Sequence, residues 1–170
     1  VMLNMHARRN IKKVQTQGGF TLIELLIVIG ILAILLAITL IALNPTQHFQ
    51  GARNAQRSSD VTAILDGIYE YEAAHSGTLP ASVSGATSTP ANIGSDTVGG
   101  DIDPCADLVP TYLADMPLDP DSNFGTKTPS TGSACAATAY QTGYQIAKSA
   151  SNRFTVSALH AENATISVTR

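Results

Sequence analysis

A chain of 170 residues is long enough for one modest hydrophobic core and too short for several large domains. Its formal charge of −3 conceals an asymmetry, because four of the ten Lys and Arg residues lie before Gly19 and none of the thirteen acidic residues does. The remainder therefore has a formal charge of −7. This charge argues against a general nucleic-acid binder, since contacts to phosphates require clustered Lys and Arg.

Residues 1–19 have the composition of a leader peptide rather than that of a folded segment. They contain no acidic residue and four basic ones, namely Arg8, Arg9, Lys12 and Lys13. A positive flank beside an apolar run stays on the cytoplasmic side of a membrane, and the opposite flank crosses. We therefore expect the part of the chain that follows the apolar run to be exported.

Residues 20–43 form an apolar run of the length that crosses a membrane. About 20 apolar residues in a helix span the roughly 30 Å of hydrocarbon, and from Leu25 onward only Gly30 and Thr39 interrupt the run. Glu24 is the exception, because a carboxylate costs about 2.5–3.5 kcal/mol at the centre of a membrane helix and less near its end. A plain membrane anchor has no need of this residue, so Glu24 indicates a further role.

The small residues that mark a cleavage site lie before this run instead of after it. A secretory signal has its small-residue cleavage site after the apolar stretch. Here Asn44 and Pro45 follow the stretch, whereas Gly18 and Gly19 precede it. Cleavage at Gly19 would keep the apolar helix on the mature chain. The pattern indicates a protein that is membrane-anchored by a helix it retains after cleavage, rather than a soluble secreted protein.

A second helix is expected over residues 46–75, after a break near Pro45. Proline lacks a backbone donor and disfavours helix at the residue before it. The second helix would be amphipathic, in contrast to the first, which is apolar all round. Its apolar stripe consists of Val61, Ile64, Leu65, Ile68 and Tyr71. Arg57 and Asp60 lie away from the stripe and are close enough to pair with each other.

The remainder predicts loops and a small antiparallel sheet. Residues 78–100 are rich in Ser, Thr, Gly and Ala without periodicity, and residues 125–137 are also loop-like. Three short alternating strands are expected in residues 140–169, with their apolar face on the stripe of the second helix. The predicted organisation is thus a leader, a membrane helix over 20–43 and an exported α+β head domain over 44–170.

The head contains two cysteines and one acidic turn that suggest specific chemistry. In an exported domain two thiols are more often paired than free, so a disulfide is expected between Cys105 and Cys135. Neither cysteine has a second Cys or His at ligand spacing, which argues against zinc. Asp119, Asp121 and Asn123 resemble the opening of a calcium loop but lack the glycine and glutamate of the EF-hand pattern. Calcium is therefore the weaker alternative to a plain acidic turn.

The junction of the leader and the apolar run reads Gly19-Phe20-Thr21-Leu22-Ile23-Glu24-Leu25-Leu26. Together with the basic leader, it resembles the type III signal of type IV pilins and of type II secretion pseudopilins. The resemblance covers the first quarter of the chain and implies a pilin-like fold. It also implies that a membrane prepilin peptidase cuts between Gly19 and Phe20 and that the new amine of Phe20 is methylated. Glu24 would then pair with the Phe20 amine of a neighbouring subunit.

The resemblance further implies a homo-oligomer, in which helices 20–43 hold a helical filament together. The subunit would wait in the inner membrane, surrounded by lipid and spanning it once, with its leader in the cytoplasm and its head outside. Inner-membrane assembly machinery would then add it to an extracellular pilus used for adhesion, motility or DNA uptake. A secretion pseudopilin, which has the same signal, is the alternative. A membrane-tethered enzyme or binding domain is a third reading, although the sequence contains no recognisable catalytic motif.

Overall fold

The computed structural model describes residues 18–95 and 100–170. The chain divides into two compact units, one ending at Asn44 and the other beginning at Pro45. Most of the predicted leader, including its four basic residues, lies outside the described residues.

The first unit is built around one apolar helix, α1, which runs from Leu22 to Leu43. None of its residues is buried, and its large apolar side chains are exposed all round. Within the described residues, α1 is the helix that is long and apolar enough to cross a membrane. At 1.5 Å per residue, its 22 residues extend over about 33 Å, close to the thickness of the hydrocarbon layer.

The predicted break near Pro45 is confirmed, and two residues produce it. Asn44 adopts the left-handed conformation with φ of 39° and ends α1. Asparagine is one of the few residues other than glycine that tolerates this conformation. Pro45 is the first residue of helix α2, where a missing N–H is harmless and a fixed φ suits the helix.

Helix α2 spans Pro45–Ala74 and has one buried side. Its buried apolar residues are Val61, Ile64, Leu65 and Ile68, and the fifth member of the predicted stripe, Tyr71, packs against them at the edge. The helix also buries Arg57 and Asp60, which were expected to lie away from the core. Their burial has a physical reason that is given below.

The second unit contains a five-stranded antiparallel sheet. Its strands are β1 (Ala91–Gly94), β2 (Thr126–Thr128), β3 (Ala139–Lys148), β4 (Phe154–Ala158) and β5 (Ile166–Thr169). The strand order is β1-β3-β4-β5, and β2 also pairs with β3. Two short helices, α3 (Ala81–Ser84) and α4 (Cys105–Leu108), lie in the connections.

The last three strands fall in the predicted region, whereas β1 and β2 lie in segments that were expected to be loops. Strand β1 lies within residues 78–100, and β2 within residues 125–137. Both are short and pair with the ten-residue strand β3. They are strands because β3 offers them hydrogen-bonding partners, and a pattern of three or four residues is too short to signal this.

The hydrophobic core lies between α2 and the inner face of the sheet. Alternate residues of β3 and β4 point inward, including Tyr144, Ile146, Phe154 and Val156, and all four are buried. They pack with the apolar stripe of α2 in one cluster. This arrangement of a helix on one face of an antiparallel sheet confirms the predicted α+β fold.

A disulfide bond joins Cys105 to Cys135, as predicted. It links α4 to the loop that precedes β3, across a sequence separation of 30 residues. In the chain-entropy model, closing a loop of that length stabilises the fold by about 3–4 kcal/mol. The bond therefore fastens a region that has little regular secondary structure.

Candidate processing and assembly site

The predicted cleavage site lies in exposed, irregular chain just before α1. Residues 18–20 have no regular secondary structure and Phe20 is 85% exposed. A Cβ atom added at Gly18 or at Gly19 would meet nothing within 4 Å. The fold of this chain therefore does not itself require glycine at either position, so a requirement for Gly19 would have to come from a partner that binds this segment.

Thr21 and Glu24 together cap the N-terminus of α1. The Thr21 side chain accepts a hydrogen bond from the Glu24 backbone N–H at 3.3 Å, and the Glu24 carboxylate accepts one from the Thr21 backbone N–H at 2.8 Å. This reciprocal arrangement is a capping box, and a negative charge in the first turn also complements the helix dipole. Glu24 thus stabilises the start of α1, a role that the free-energy cost of a carboxylate in a membrane helix did not indicate.

The capping arrangement uses only one oxygen of the carboxylate. The Thr21 hydroxyl also donates to Glu24, at 2.7 Å, and ends on the same atom, Oε2. Among the residues that the structure describes, no hydrogen bond reaches Oε1. Glu24 can therefore keep its cap and still accept a bond from a cation outside the chain.

In the second unit, the acidic turn considered for calcium is occupied by a buried ion pair. Arg57 is fully buried and donates from Nε and Nη2 to the two oxygens of Asp119, both at 2.8 Å. The same carboxylate accepts the backbone N–H of Asp121 at 2.8 Å. Asp121 in turn accepts hydrogen bonds from the backbone and side chain of Asn123.

These bonds engage both Asp119 oxygens, so this residue offers no free ligand to a cation. Among residues 18–95 and 100–170, no cluster of three or more His, Cys, Asp or Glu side chains is placed to hold a metal ion. Calcium binding stays a prediction for this turn, and it would have to compete with Arg57 for Asp119.

The ion pair belongs to a larger cluster, which we call the arginine cluster: Arg53, Arg57, Asp119 and Glu162. Glu162, in the turn between β4 and β5, pairs with Arg53 and lies 3.3 Å from Arg57 Nη1. The hydrogen bonds from Arg53 hold the pKa of Glu162 below its usual value. The cluster therefore fastens two loops to one face of α2 through charges that compensate one another.

Asp60 does not pair with Arg57, although their spacing suggested it. Its carboxylate accepts hydrogen bonds from the Tyr144 hydroxyl at 2.7 Å and from the Gln56 side chain at 2.7 Å. Burial raises the pKa of Asp60 above its usual value, and the two hydrogen bonds oppose that rise. Both charged residues are thus buried because each finds a partner on the sheet side of α2. Those partners are distant in sequence, so local spacing could not indicate them.

Comparison with known proteins gives one match, and it falls on the N-terminal segment. The family model of the prokaryotic N-terminal methylation motif matches residues 15–40. Neither the search of curated proteins nor that of solved structures gave a match. The motif spans Gly19, Phe20, Glu24 and most of α1, and the α+β fold follows it.

The chain thus combines an apolar N-terminal helix, a methylation motif that includes most of that helix, and an α+β fold in its second unit. The chain carries the prepilin-type signal of type IV pilins and pseudopilins, which confirms the resemblance of its N-terminal residues. The match covers the N-terminal signal alone, and it supports a pilin-like or pseudopilin-like processed protein. The motif does not distinguish between these two roles.

Proposed function

We propose that this chain is the structural subunit of an extracellular type IV pilus. In this proposal, prepilin peptidase cuts between Gly19 and Phe20 and methylates the amine of Phe20. Helix α1 then holds the subunit in the inner membrane with its head outside, until assembly machinery adds it to a filament. The observation that carries the proposal is the methylation motif placed directly on a helix that is apolar all round.

The apolar surface of α1 supports assembly as well as anchoring. Its large apolar side chains are mostly more than half exposed, so they need lipid or other helices around them. A filament can supply other helices, because identical α1 segments bury one another in its centre. Contacts between different patches of identical subunits produce an open helical assembly when the rotation does not close.

Glu24 supports a specific register for that assembly. Cleavage before Phe20 would create a positive amine at the edge of the apolar segment. An isolated amine and an isolated carboxylate are both costly in an apolar bundle, but they are tolerated as a pair. A neighbouring subunit placed out of register would leave both groups unpaired. The unused Oε1 of Glu24 is the atom that would accept this neighbour's amine.

A secretion pseudopilin is the second candidate, because it has the same N-terminal signal. The two roles differ in their products, so cell fractions distinguish them. Long fibres that contain this chain in sheared surface fractions favour a pilus subunit. Loss of secreted enzymes in a deletion strain, without loss of surface fibres, favours a pseudopilin.

A membrane-tethered enzyme or binding domain is the alternative from another class. Such a protein would function as single subunits, so its activity would not depend on Glu24 or on polymerisation. The pilus proposal assigns no catalytic role to this chain. A catalytic activity that survives in subunits unable to polymerise would favour the alternative.

Replacement of Gly19 tests the processing step. A Gly19→Leu variant should accumulate as an uncut precursor that migrates more slowly on a gel. Gly18→Leu is the matched control, because both glycines lie in open, exposed chain where a side chain meets nothing. Normal processing of Gly19→Leu, or an equal defect in both variants, would contradict cleavage at Gly19.

A further inference from the structure

The outer face of the sheet carries a pocket that assembly through α1 does not use. The pocket has a volume of about 200 Å³ and opens over the middle of β3. It lies within the second unit, on the face of the sheet opposite to the core. Volumes of about 300–1,000 Å³ are typical for drug-sized ligands, so this pocket suits a single small ring.

Side-chain amides dominate the polar part of the lining. Asn92 on β1 and Gln145 on β3 are cross-strand partners, and Gln145 Nε2 donates to Asn92 Oδ1 at 3.0 Å. Gln141 and Asn123 complete the set. Among the described residues, no protein partner takes the second functional group of Asn92 or of Gln145. The pocket therefore offers a free amide donor and a free amide acceptor side by side.

A wall of two stacked rings forms another part of the lining. The rings of Phe124 and His160 are stacked with centroids 3.5 Å apart and planes within 5° of each other. Leu159 extends the wall and is 60% exposed, a large exposure for an apolar side chain in this head. Gly143 allows the wall to approach the strand, because a Cβ at this position would lie 3.3 Å from Phe124 Cβ.

The charge of the lining restricts the ligand. Apart from His160, no basic or acidic side chain belongs to the lining that the described residues form, so these residues offer no fixed countercharge to an anion or to a cation. The acidic surface of the head would further repel an anion. Phosphorylated and sulfated ligands are therefore poor candidates, and a basic ligand would find no carboxylate among the described residues of the lining.

A peptide in the extended conformation is also a poor candidate. Such peptides are usually captured by adding a strand to a free sheet edge. Strand β3 is not an edge, because Gln145 pairs with Asn92 on one side and with Ser157 on the other. The outer side of β1 is also occupied, since its backbone exchanges hydrogen bonds with Ile102. A ligand that combines neighbouring hydroxyl groups with an apolar ring face fits the amides and the stacked rings of this lining, and a neutral carbohydrate has both features.

We propose that this pocket binds one ring of a neutral carbohydrate. Hydroxyl groups of the sugar would exchange hydrogen bonds with Asn92 and Gln145, while its C–H face would lie on the Phe124–His160 wall. A single ring makes few contacts, so the dissociation constant should be roughly 1–10 mM. The proposal does not depend on filament assembly, because one copy of the head contains every group that it uses.

NMR titration of the full ¹⁵N-labelled chain tests the proposal. The chain is held in a phosphocholine detergent, because detergents with sugar headgroups would compete. The neutral probes are the methyl glycosides of glucose, galactose, mannose and N-acetylglucosamine, and the charged comparators are glucose 6-phosphate and glucosamine. At least one neutral probe should produce saturable shifts of the Asn92 and Gln145 side-chain amide signals, and the charged comparators should bind more weakly.

Two variants and one control locate the binding. Gln145→Ala should weaken binding at least tenfold. Leu159→Ser should also weaken binding, and it leaves the core packing unchanged because Leu159 is an exposed residue. Gln47→Ala is the matched control, because this exposed glutamine lies on α2 outside the pocket and should leave binding unchanged. The proposal is overturned if no neutral glycoside produces saturable shifts. It is also overturned if the charged sugars bind equally well, or if both pocket variants bind as the natural chain does.

Discussion

Removal of the Asp119 carboxylate tests how much the arginine cluster contributes to the stability of the second unit. Arg57 is fully buried, and Asp119 accepts hydrogen bonds from two of its three nitrogens. In an Asp119→Ala variant, the partners that the guanidinium keeps among the described residues are Asn54 at 3.1 Å and Glu162 at 3.3 Å. Breaking a buried ion pair by removing one partner costs about 3–5 kcal/mol, because a buried charge is left uncompensated. Since Glu162 remains, we expect a loss of about 3 kcal/mol.

Urea unfolding followed by the near-ultraviolet circular dichroism of tyrosine measures this loss. The chain has no tryptophan and its five tyrosines all lie after Pro45, so the signal reports on the second unit alone. With an m-value of about 1.5 kcal/mol/M, the urea midpoint should fall by about 2 M. The matched control is Asp66→Ala, which removes the exposed pair with Arg170 and should cost about 1 kcal/mol or less.

A double variant separates the uncompensated charge from general disruption. Arg57→Met combined with Asp119→Leu replaces the pair by apolar side chains, and such replacements are often close to neutral. The double variant should therefore be more stable than Asp119→Ala alone. A loss below about 1 kcal/mol in Asp119→Ala would refute the reasoning, and so would a double variant that is less stable than the single one.

Three further perturbations have defined outcomes. A Glu24→Gln variant should keep the cap with Thr21 and insert into the membrane, but the amount of subunit found in fibres should fall about tenfold. The control Thr39→Ala, which loses a hydrogen bond within its own helix, should assemble normally. A normal amount of the Glu24→Gln subunit in fibres would contradict the pairing of Glu24 with a neighbour's amine. A Gly143→Ala variant should lose about 1–3 kcal/mol of its free energy of unfolding in urea, because φ is +80° and the new Cβ would lie 2.8 Å from Asp119 Cβ. In the control Gly85→Ala the new Cβ meets no atom, so this variant should be nearly as stable as the natural chain. Equal urea midpoints for the two variants would show that Gly143 is not needed to avoid strain. Because burial raises the pKa of Asp60, the folded state keeps this proton to higher pH than the unfolded state does, so the contribution of Asp60 to stability falls as pH rises from about 3.8 through the raised pKa. The free energy of unfolding of Asp60→Asn, relative to that of the natural chain, should therefore increase over that pH range. A difference that does not change with pH would contradict this linkage.

The sequence predicts the features of this fold that depend on local pattern. The stripe from Val61 to Ile68 is buried as expected, because helical spacing places those residues on one side of α2. The break at Asn44 and Pro45 is also local, since it depends on the backbone preferences of two residues. The methylation motif is recognisable for a similar reason, because its residues are contiguous.

The features that were missed depend on distant partners. Strand β1 exists because β3 pairs with it, and its four residues alone carry too short a pattern. Arg57 is buried because Asp119, 62 residues away, compensates its charge. The amide pocket likewise combines residues of β1 and β3 with the turn at Phe124 and the turn at His160. A single sequence gives no signal for such combinations until the topology brings the residues together.

Mass spectrometry of the N-terminus of the mature protein tests whether the chain is cut and methylated as a prepilin. Cells that express the full chain are fractionated, and the chain is recovered from the membrane and from sheared surface fibres. We expect the mature chain to begin at Phe20 and to carry one added methyl group on its amine in both fractions. A mature chain that retains Gly19, that begins after Leu43, or that has an unmodified amine at Phe20 would contradict this expectation.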